Sequence, residues 1–196
     1  MSPISLPVRH TIVVIEFDSS SLREQELSLV ERIKSSCIHI PVYATNDYAS
    51  LSKLFADLEG VRADAVVLVG HGGRSGLRLG EDASGLTPWG LLAARLRALR
   101  PRKLFVVAGP ASRNSDLAAL FRELPALQEV LGCALYVDDH RLTAILKVLP
   151  ELLTFPEHSP SIRAWALARG VVHRVTRQEY EEGGEGAVVA MRLVGA

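Results

Sequence analysis

Short runs of apolar, β-branched residues alternate along the chain with segments whose apolar residues recur every three or four positions. Continuous apolar runs of this length are typical of strands that are buried on both faces. One run contains Pro41, which favours an edge strand or a position at the entry of a strand. Strands are therefore predicted at 11–17, 38–45, 65–72, 103–112 and 130–139.

The intervening segments have the spacing of amphipathic helices, with polar residues between the apolar ones. Thr87 precedes Pro88 and is predicted to cap one helix, and the next helix is predicted to begin near Asn114 or Ser115. Gly60 is predicted to end a helix. Helices are predicted at 22–36, 47–61, 86–99, 114–124, 141–155 and 159–170.

Strands that alternate with helices of this length indicate an α/β fold with a mainly parallel central sheet. A short ribbon is predicted at 76–80. The chain of 196 residues is predicted to form one α/β domain over 1–170. Residues 171–196 are predicted to be a C-terminal β-hairpin, turning at a Gly/Glu segment and packed on that domain.

Composition narrows the class of protein. The apolar fraction is 48%, the charged fraction 22% and the formal net charge zero, which argues against disorder and against attraction to nucleic acid or an anionic membrane. No secretion signal or membrane-spanning run is recognised, so a soluble, cytoplasmic protein is expected. Cys37 and Cys133 lie in apolar stretches and are predicted to be buried, reduced thiols.

No cofactor or metal is predicted. The histidines and the two cysteines lack the spacing of a zinc site, and no phosphate-binding glycine motif follows the first strand.

Sites in a parallel α/β sheet lie beyond the carboxyl ends of the strands. His71 follows one such end and is flanked by glycines, which leave room around the imidazole for a substrate. An imidazole titrates near neutrality, so it can accept and return a proton during catalysis. An exposed histidine without a function, on a turn that ends a strand, is equally consistent with this stretch of sequence.

The segment KLFVVAGPASRNSD, which contains the predicted 103–112 strand and the turn after it, would supply a nucleophile to such a base, but it has no cysteine. Ser112 and Ser115 are present, and serines before a helix are more often caps. The segment does not fit the G-x-S-x-G elbow, so a serine hydrolase is the weaker alternative.

The order of these motifs resembles the caspase-like cysteine peptidases, in particular the CHAT-type and other prokaryotic caspase-like domains. The similarity covers roughly residues 60–170. It is carried by a strand followed by GHGG, a ribbon, a helix, LFVVAGPAS, a helix, LGCALYVDD and finally IRAWALAR. The resemblance implies a three-layer α/β/α sandwich. It also implies a catalytic His-Gly after one strand and a nucleophilic cysteine at the end of the next.

The chain departs from this pattern at the nucleophile. The family's cysteine would fall at Gly109, Pro110 or Ala111, and Ala111 is the favoured position. The resemblance implies that a thiolate at 111 attacks the scissile carbonyl, that His71 protonates the leaving amine, and that the N–H groups of Gly72 and residue 111 bind the oxyanion. Two interpretations stay open: a natural pseudo-peptidase that binds proteins, or a peptidase whose cysteine has been replaced by alanine.

The resemblance also implies a protein or peptide substrate that is cleaved after a charged P1 residue. Asp138 and Asp139 end the predicted 130–139 strand and could pair with a basic P1 side chain, and Asp18 is a further candidate. Each of these aspartates could instead cap a helix. A regulatory protein partner and a role in bacterial antiviral defence are further expectations, whereas nucleic acid and membrane partners are not expected.

Overall fold

The structure is a computed structural model that describes residues 11–17, 38–42, 56–58, 60–69, 72–73, 76–78, 86–106, 114–133, 172–183 and 192–193. Its strands are β1 Ile12–Phe17, β2 Ile38–Val42, β3 Ala65–Val69, β4 Gly72–Gly73, β5 Gly76–Arg78, β6 Leu86–Pro88, β7 Lys103–Val106, β8 Glu129–Cys133, β9 Val172–Thr176 and β10 Arg192–Leu193. Its helices are α1 Trp89–Leu96, which continues as a 3-10 turn over Arg97–Leu99, α2 Asn114–Glu123 and α3 Arg177–Glu182.

Among the described residues, the main sheet has seven strands in the order β10-β9-β8-β7-β3-β1-β2. All pairings from β2 across to β8 are parallel, and β9 pairs antiparallel with both β8 and β10. The predicted α/β fold with a mainly parallel central sheet is confirmed. The edge position predicted from Pro41 is also confirmed, because β2 is the last strand of the order.

One face of the sheet packs against α1, the 3-10 turn and α2. The register aligns Val66 with Leu104 and Leu68 with Val106, so their side chains form continuous apolar rows. These rows join Trp89 and the other buried residues of the helices in one core cluster. The two helices approach closely: a Cβ on Gly90 would lie 3.1 Å from the Cβ of Ala119.

The opposite face of the sheet is buried as well. Ala65, Val67, Phe105 and Leu131 alternate with the core-facing residues and are at most 1% exposed. A sheet that is buried on both faces explains why its strands read as uninterrupted apolar runs.

The start of α1 differs from the prediction. Thr87 was expected to cap the helix, but it pairs with Leu77 in the strand β6. The helix begins at Trp89, and Pro88 occupies the N-cap position without a side-chain capping bond. Pairing with β5 holds Thr87 in an extended backbone conformation. The helix therefore starts at Trp89 and not directly after Thr87.

The tail also differs from the prediction in part. The antiparallel pairing of β9 with β10 has the geometry of the expected hairpin, but the first strand ends at Thr176 and α3 follows. A capping box explains this: the Thr176 hydroxyl accepts from the Glu179 N–H at 3.1 Å, and the Glu179 carboxylate accepts from the Thr176 N–H at 2.8 Å. The Thr-x-x-Glu motif in the sequence is the signal for this helix start.

Arg177 ties the tail to the end of α2. Its guanidinium donates to the backbone carbonyl of Leu127 at 2.7 Å and to those of Phe121 and Leu124 at 3.0 Å. It also lies over the Phe121 ring, which stacks on Tyr180. A charged donor near a helix C-terminus satisfies carbonyls that the helix itself leaves without partners.

The predicted helices at 22–36, 141–155 and 159–170 lie outside the described residues. Of the 47–61 segment, residues 56 and 57 are helical, and Gly60 has a φ of +88°, as expected for a glycine that ends a helix. None of the helices in the described ranges is long and apolar enough to cross a membrane.

Candidate functional site

The carboxyl ends of β3 and β7 lie side by side. The two strands are parallel neighbours, and Leu68 is level with Val106. Neighbouring strands in a sheet are about 4.8 Å apart. The chain that leaves β3 toward residue 71 and the chain that leaves β7 toward residue 111 therefore start from the same edge, next to each other.

A small antiparallel sheet fixes the chain immediately after residue 71. Its strands run in the order β4-β5-β6, and Gly72 at its start pairs with Leu77. Leu77 is fully buried in the main core. Val69 ends β3 and Gly72 begins β4, so two residues of the sequence, 70 and 71, separate the two strands.

The pairing within this sheet also orients the backbone of Gly72. Hydrogen-bonded and non-hydrogen-bonded pairs alternate along an antiparallel ladder. Gly73 and Gly76 are separated by two residues in the chain and are the last pair of the ladder, so they form the hydrogen-bonded pair. Gly72 and Leu77 are then the non-hydrogen-bonded pair, which directs the Gly72 N–H away from β5.

Gly76 allows the small sheet to form. A Cβ at this position would lie 2.0 Å from the backbone oxygen of Thr87, far inside van der Waals contact. A side chain here would push β5 away from β6, and with it the hairpin that holds Gly72.

Position 111 lies in the connection between β7 and α2. The strand ends at Val106 and the helix begins at Asn114, which agrees with the helix start predicted near Asn114 or Ser115. The N–H groups and the dipole at a helix N-terminus lower the pKa of a nearby thiol and favour a developing negative charge.

The structure describes only some of the predicted site residues. Gly72 lies in β4, whereas His71, Ala111, Asp18, Asp138 and Asp139 lie outside the described residues. Asp18 directly follows the end of β1 at Phe17. Of the predicted 130–139 strand, the structure describes residues 130–133, which lie in β8, Glu129–Cys133. Within the described ranges, no group of His, Cys, Asp and Glu side chains could hold a metal ion.

A buried ionic cluster lies at the amino ends of the parallel strands β7 and β8. It was not predicted from the sequence. The Lys103 ammonium lies 2.8 Å from the Glu129 carboxylate, and these side chains are 2% and 5% exposed. Arg174 contacts the other oxygen of the same carboxylate. Lys103 and Glu129 are the first residues of β7 and β8 and are level with each other, so the cluster holds β7, β8 and β9 together. A single charged residue at the start of an apolar run, such as Lys103 or Glu129, does not indicate from the sequence which residue it will pair with.

No protein-family model matches the chain, and no curated protein matches its sequence. Among solved structures, the chain is similar to a crystal structure of a protein from Mycobacterium smegmatis, with 9% sequence identity and a TM-score of 0.39. The match covers 90% of this chain and 54% of that protein, so the chain spans about half of its length. A similarity of this degree supports no conclusion about fold or function.

Proposed function

We propose that the chain is a caspase-like cysteine endopeptidase domain, built as a three-layer α/β/α sandwich, in which alanine occupies the nucleophile position 111. One observation carries the proposal: β3 and β7 are parallel neighbours whose carboxyl ends are level. The resembled family needs this arrangement, because its histidine follows one strand and its cysteine ends the next. A His-Gly after β3 and a nucleophile turn after β7 then belong to one site.

In the proposed mechanism a cysteine thiolate at 111 adds to the scissile carbonyl carbon. The resulting oxyanion accepts hydrogen bonds from the N–H groups of Gly72 and residue 111. Collapse of this intermediate breaks the C–N bond, and His71 gives a proton to the leaving amine. Water then hydrolyses the thioester and restores the thiol. The outward direction of the Gly72 N–H supports the role given to it here.

The proposed substrate is a cytoplasmic protein or peptide that carries a charged P1 residue. Asp138 and Asp139 would pair with an arginine or lysine at P1, for which a bidentate contact is the strongest form. Asp18, directly after β1, is a further candidate at the same edge because β1 is the parallel neighbour of β3.

A natural pseudo-peptidase is the second candidate, and the alanine at position 111 favours it. Such a protein would bind an intact partner at the same edge of the sheet. The codon for residue 111 in the native gene separates the two: a cysteine codon supports the peptidase and an alanine codon supports the binding protein.

The reactivity of a thiol at position 111 tests the proposed site without knowledge of the substrate. In the Ala111→Cys variant, we expect iodoacetamide to alkylate residue 111 at pH 6 at least about tenfold faster than an ordinary thiol, because a helix N-terminus and a nearby imidazolium stabilise the thiolate. Peptide mass spectrometry measures the rate, with glutathione as the ordinary thiol, and the alkylation of Cys37 and Cys133 reports on the fold of the same chain. Adding His71→Ala is expected to slow alkylation of residue 111 alone.

An alkylation rate at residue 111 that equals that of a free cysteine, and that does not change with His71→Ala, would contradict the proposed site. Faster alkylation of Cys37 and Cys133 would instead indicate unfolding, because unfolding exposes thiols that are predicted to be buried, and circular dichroism of the same samples detects it.

A further inference from the structure

The outer side of β4 carries a backbone donor and a backbone acceptor of one residue. Gly72 and Leu77 are a non-hydrogen-bonded pair of the small sheet. In such a pair, the N–H and the C=O of each residue both point away from the other strand. β4 is the last strand of the order β4-β5-β6, so no described strand pairs with its outer side. The N–H and the C=O of Gly72 therefore lie together along this edge.

The composition of β4 suits the close approach of a second backbone. Both of its residues, Gly72 and Gly73, are glycine. They lie in a strand, and an extended backbone does not by itself need glycine. Glycine inside a strand is typical of places where a ligand or another backbone approaches closely. A peptide can therefore reach the N–H and the C=O of Gly72 without meeting a side chain of β4.

The start of β4 is close in the chain to the proposed catalytic site. Residues 70 and 71 separate it from the end of β3, and β3 and β7 are parallel neighbours whose carboxyl ends lie side by side. The connection that contains position 111 leaves from the end of β7. The edge of β4 therefore begins near the place where the proposed nucleophile turn also begins.

We propose that an extended peptide segment, of a substrate or of an intact partner, adds to the outer side of β4 as an antiparallel strand. This inference rests on the proposed function, which places the P1 carbonyl oxygen at the Gly72 N–H. The P1 N–H then donates to the Gly72 C=O, because a hydrogen-bonded antiparallel pair exchanges both bonds. In this direction P1′, whose nitrogen is the leaving amine, lies on the side of residue 71, as protonation by His71 requires.

The pair of groups on Gly72 also indicates the class of ligand. A peptide backbone has a donor and an acceptor that match the C=O and the N–H of Gly72, and addition of a strand to a sheet edge is a common form of peptide recognition. An ionised carboxylate has only acceptors, so it can bind the Gly72 N–H but not the C=O.

Removal of a single peptide N–H is the first test. Peptides of a P1-varied library are expected to bind the unaltered chain. An ester in place of the P1 amide is expected to raise the dissociation constant of the best peptide at least about fivefold, because the Gly72 C=O loses its donor. The matched control is an ester at P2, whose N–H points away from β4, and its effect is expected to be less than about twofold.

Isothermal titration calorimetry of the three peptides measures these effects. Equal effects of the two esters would overturn the proposal. So would a library in which no peptide binds with a dissociation constant below about 1 mM.

Amide hydrogen exchange of the unaltered chain, measured by NMR, is the second test and locates the peptide. Saturation with the best peptide is expected to slow exchange of the Gly72 N–H at least about tenfold, since this group becomes hydrogen-bonded. The Gly73 N–H is the internal reference. Gly73 already forms the hydrogen-bonded pair with Gly76, so its exchange is expected to change by less than about twofold. An unchanged Gly72 N–H would overturn the proposal.

Neither measurement requires cleavage, so this proposal and the peptidase activity can fail separately. An inactive Ala111→Cys variant, together with an ester effect at P1 alone, would contradict the peptidase and support a peptide-binding protein that uses β4. Cleavage by Ala111→Cys without a specific ester effect at P1 would support the peptidase and overturn pairing with β4.

Discussion

The Ala111→Cys variant is expected to hydrolyse peptides with a charged P1 residue, and the additional change His71→Ala is expected to lower its kcat/KM by about 10²–10⁴. The unaltered chain is expected to show no cleavage above background. A fluorogenic peptide library that varies the P1 residue, followed by kinetics on the best peptide, measures both effects.

The size of this effect follows from the roles that the proposed mechanism gives to residue 111 and His71. A thiol at 111 provides the nucleophile that alanine lacks, and its attack becomes an intramolecular step once the peptide is bound. The imidazole supplies the proton without which the amine is a poor leaving group. The described part of this arrangement is that β3 and β7 are parallel neighbours whose carboxyl ends lie side by side.

The matched control for this experiment is Ala111→Ser, which has nearly the same size as the cysteine variant but a much weaker nucleophile. It is expected to remain inactive under the same conditions. Equal activity of the serine and cysteine variants, or cleavage by the cysteine variant that survives His71→Ala unchanged, would contradict the proposed mechanism.

The second large effect is expected on stability. Glu129→Met should lower the free energy of unfolding by about 3–5 kcal/mol, because it removes one partner from a buried ion pair. Glu129 accepts from both Lys103 and Arg174, and the Lys103 side chain is 2% exposed. The change therefore leaves an ammonium buried without this carboxylate. Urea denaturation measures the loss.

Two further variants make this prediction specific. Lys103→Met combined with Glu129→Met is expected to be more stable than Glu129→Met alone, since the double change buries apolar groups instead of a charge. Arg97→Met breaks the exposed pair with Glu123 and is expected to cost about 1 kcal/mol or less. A Glu129→Met variant as stable as Arg97→Met would contradict the structural role given to the cluster.

The sequence predicts the strands well because their pattern has one physical cause. Residues 65–68 of β3 and 104–106 of β7 are buried on both faces of the sheet, so they have to be apolar. Lys103 at the start of β7 is the exception, because its buried charge pairs with Glu129. Pro41 likewise predicts the edge strand because it cannot donate a ladder hydrogen bond. These signals depend only on residues that are close together in the chain, so they can be recognised in a single sequence.

Features that depend on long-range pairing are not predicted. Thr87 has the local chemistry of a helix cap, yet its pairing with Leu77 determines its conformation. The cluster of Lys103, Glu129 and Arg174 forms because three strands bring together residues that are distant in sequence. By contrast, the α3 start could have been predicted, because Thr176 and Glu179 are a complete local capping motif. At the candidate site, the sequence indicates which strand ends carry polar groups, and the sheet order shows that β3 and β7 are neighbours.

A crystal structure of the Ala111→Cys variant, reacted with a peptide aldehyde, tests the proposed site most directly. The predicted result is a covalent bond from the sulfur at 111 to the aldehyde carbon, with the His71 imidazole within hydrogen-bond reach of the adduct and the Gly72 N–H donating to its oxygen. An unmodified sulfur, or an imidazole that points away from residue 111 across the sheet edge, would contradict it.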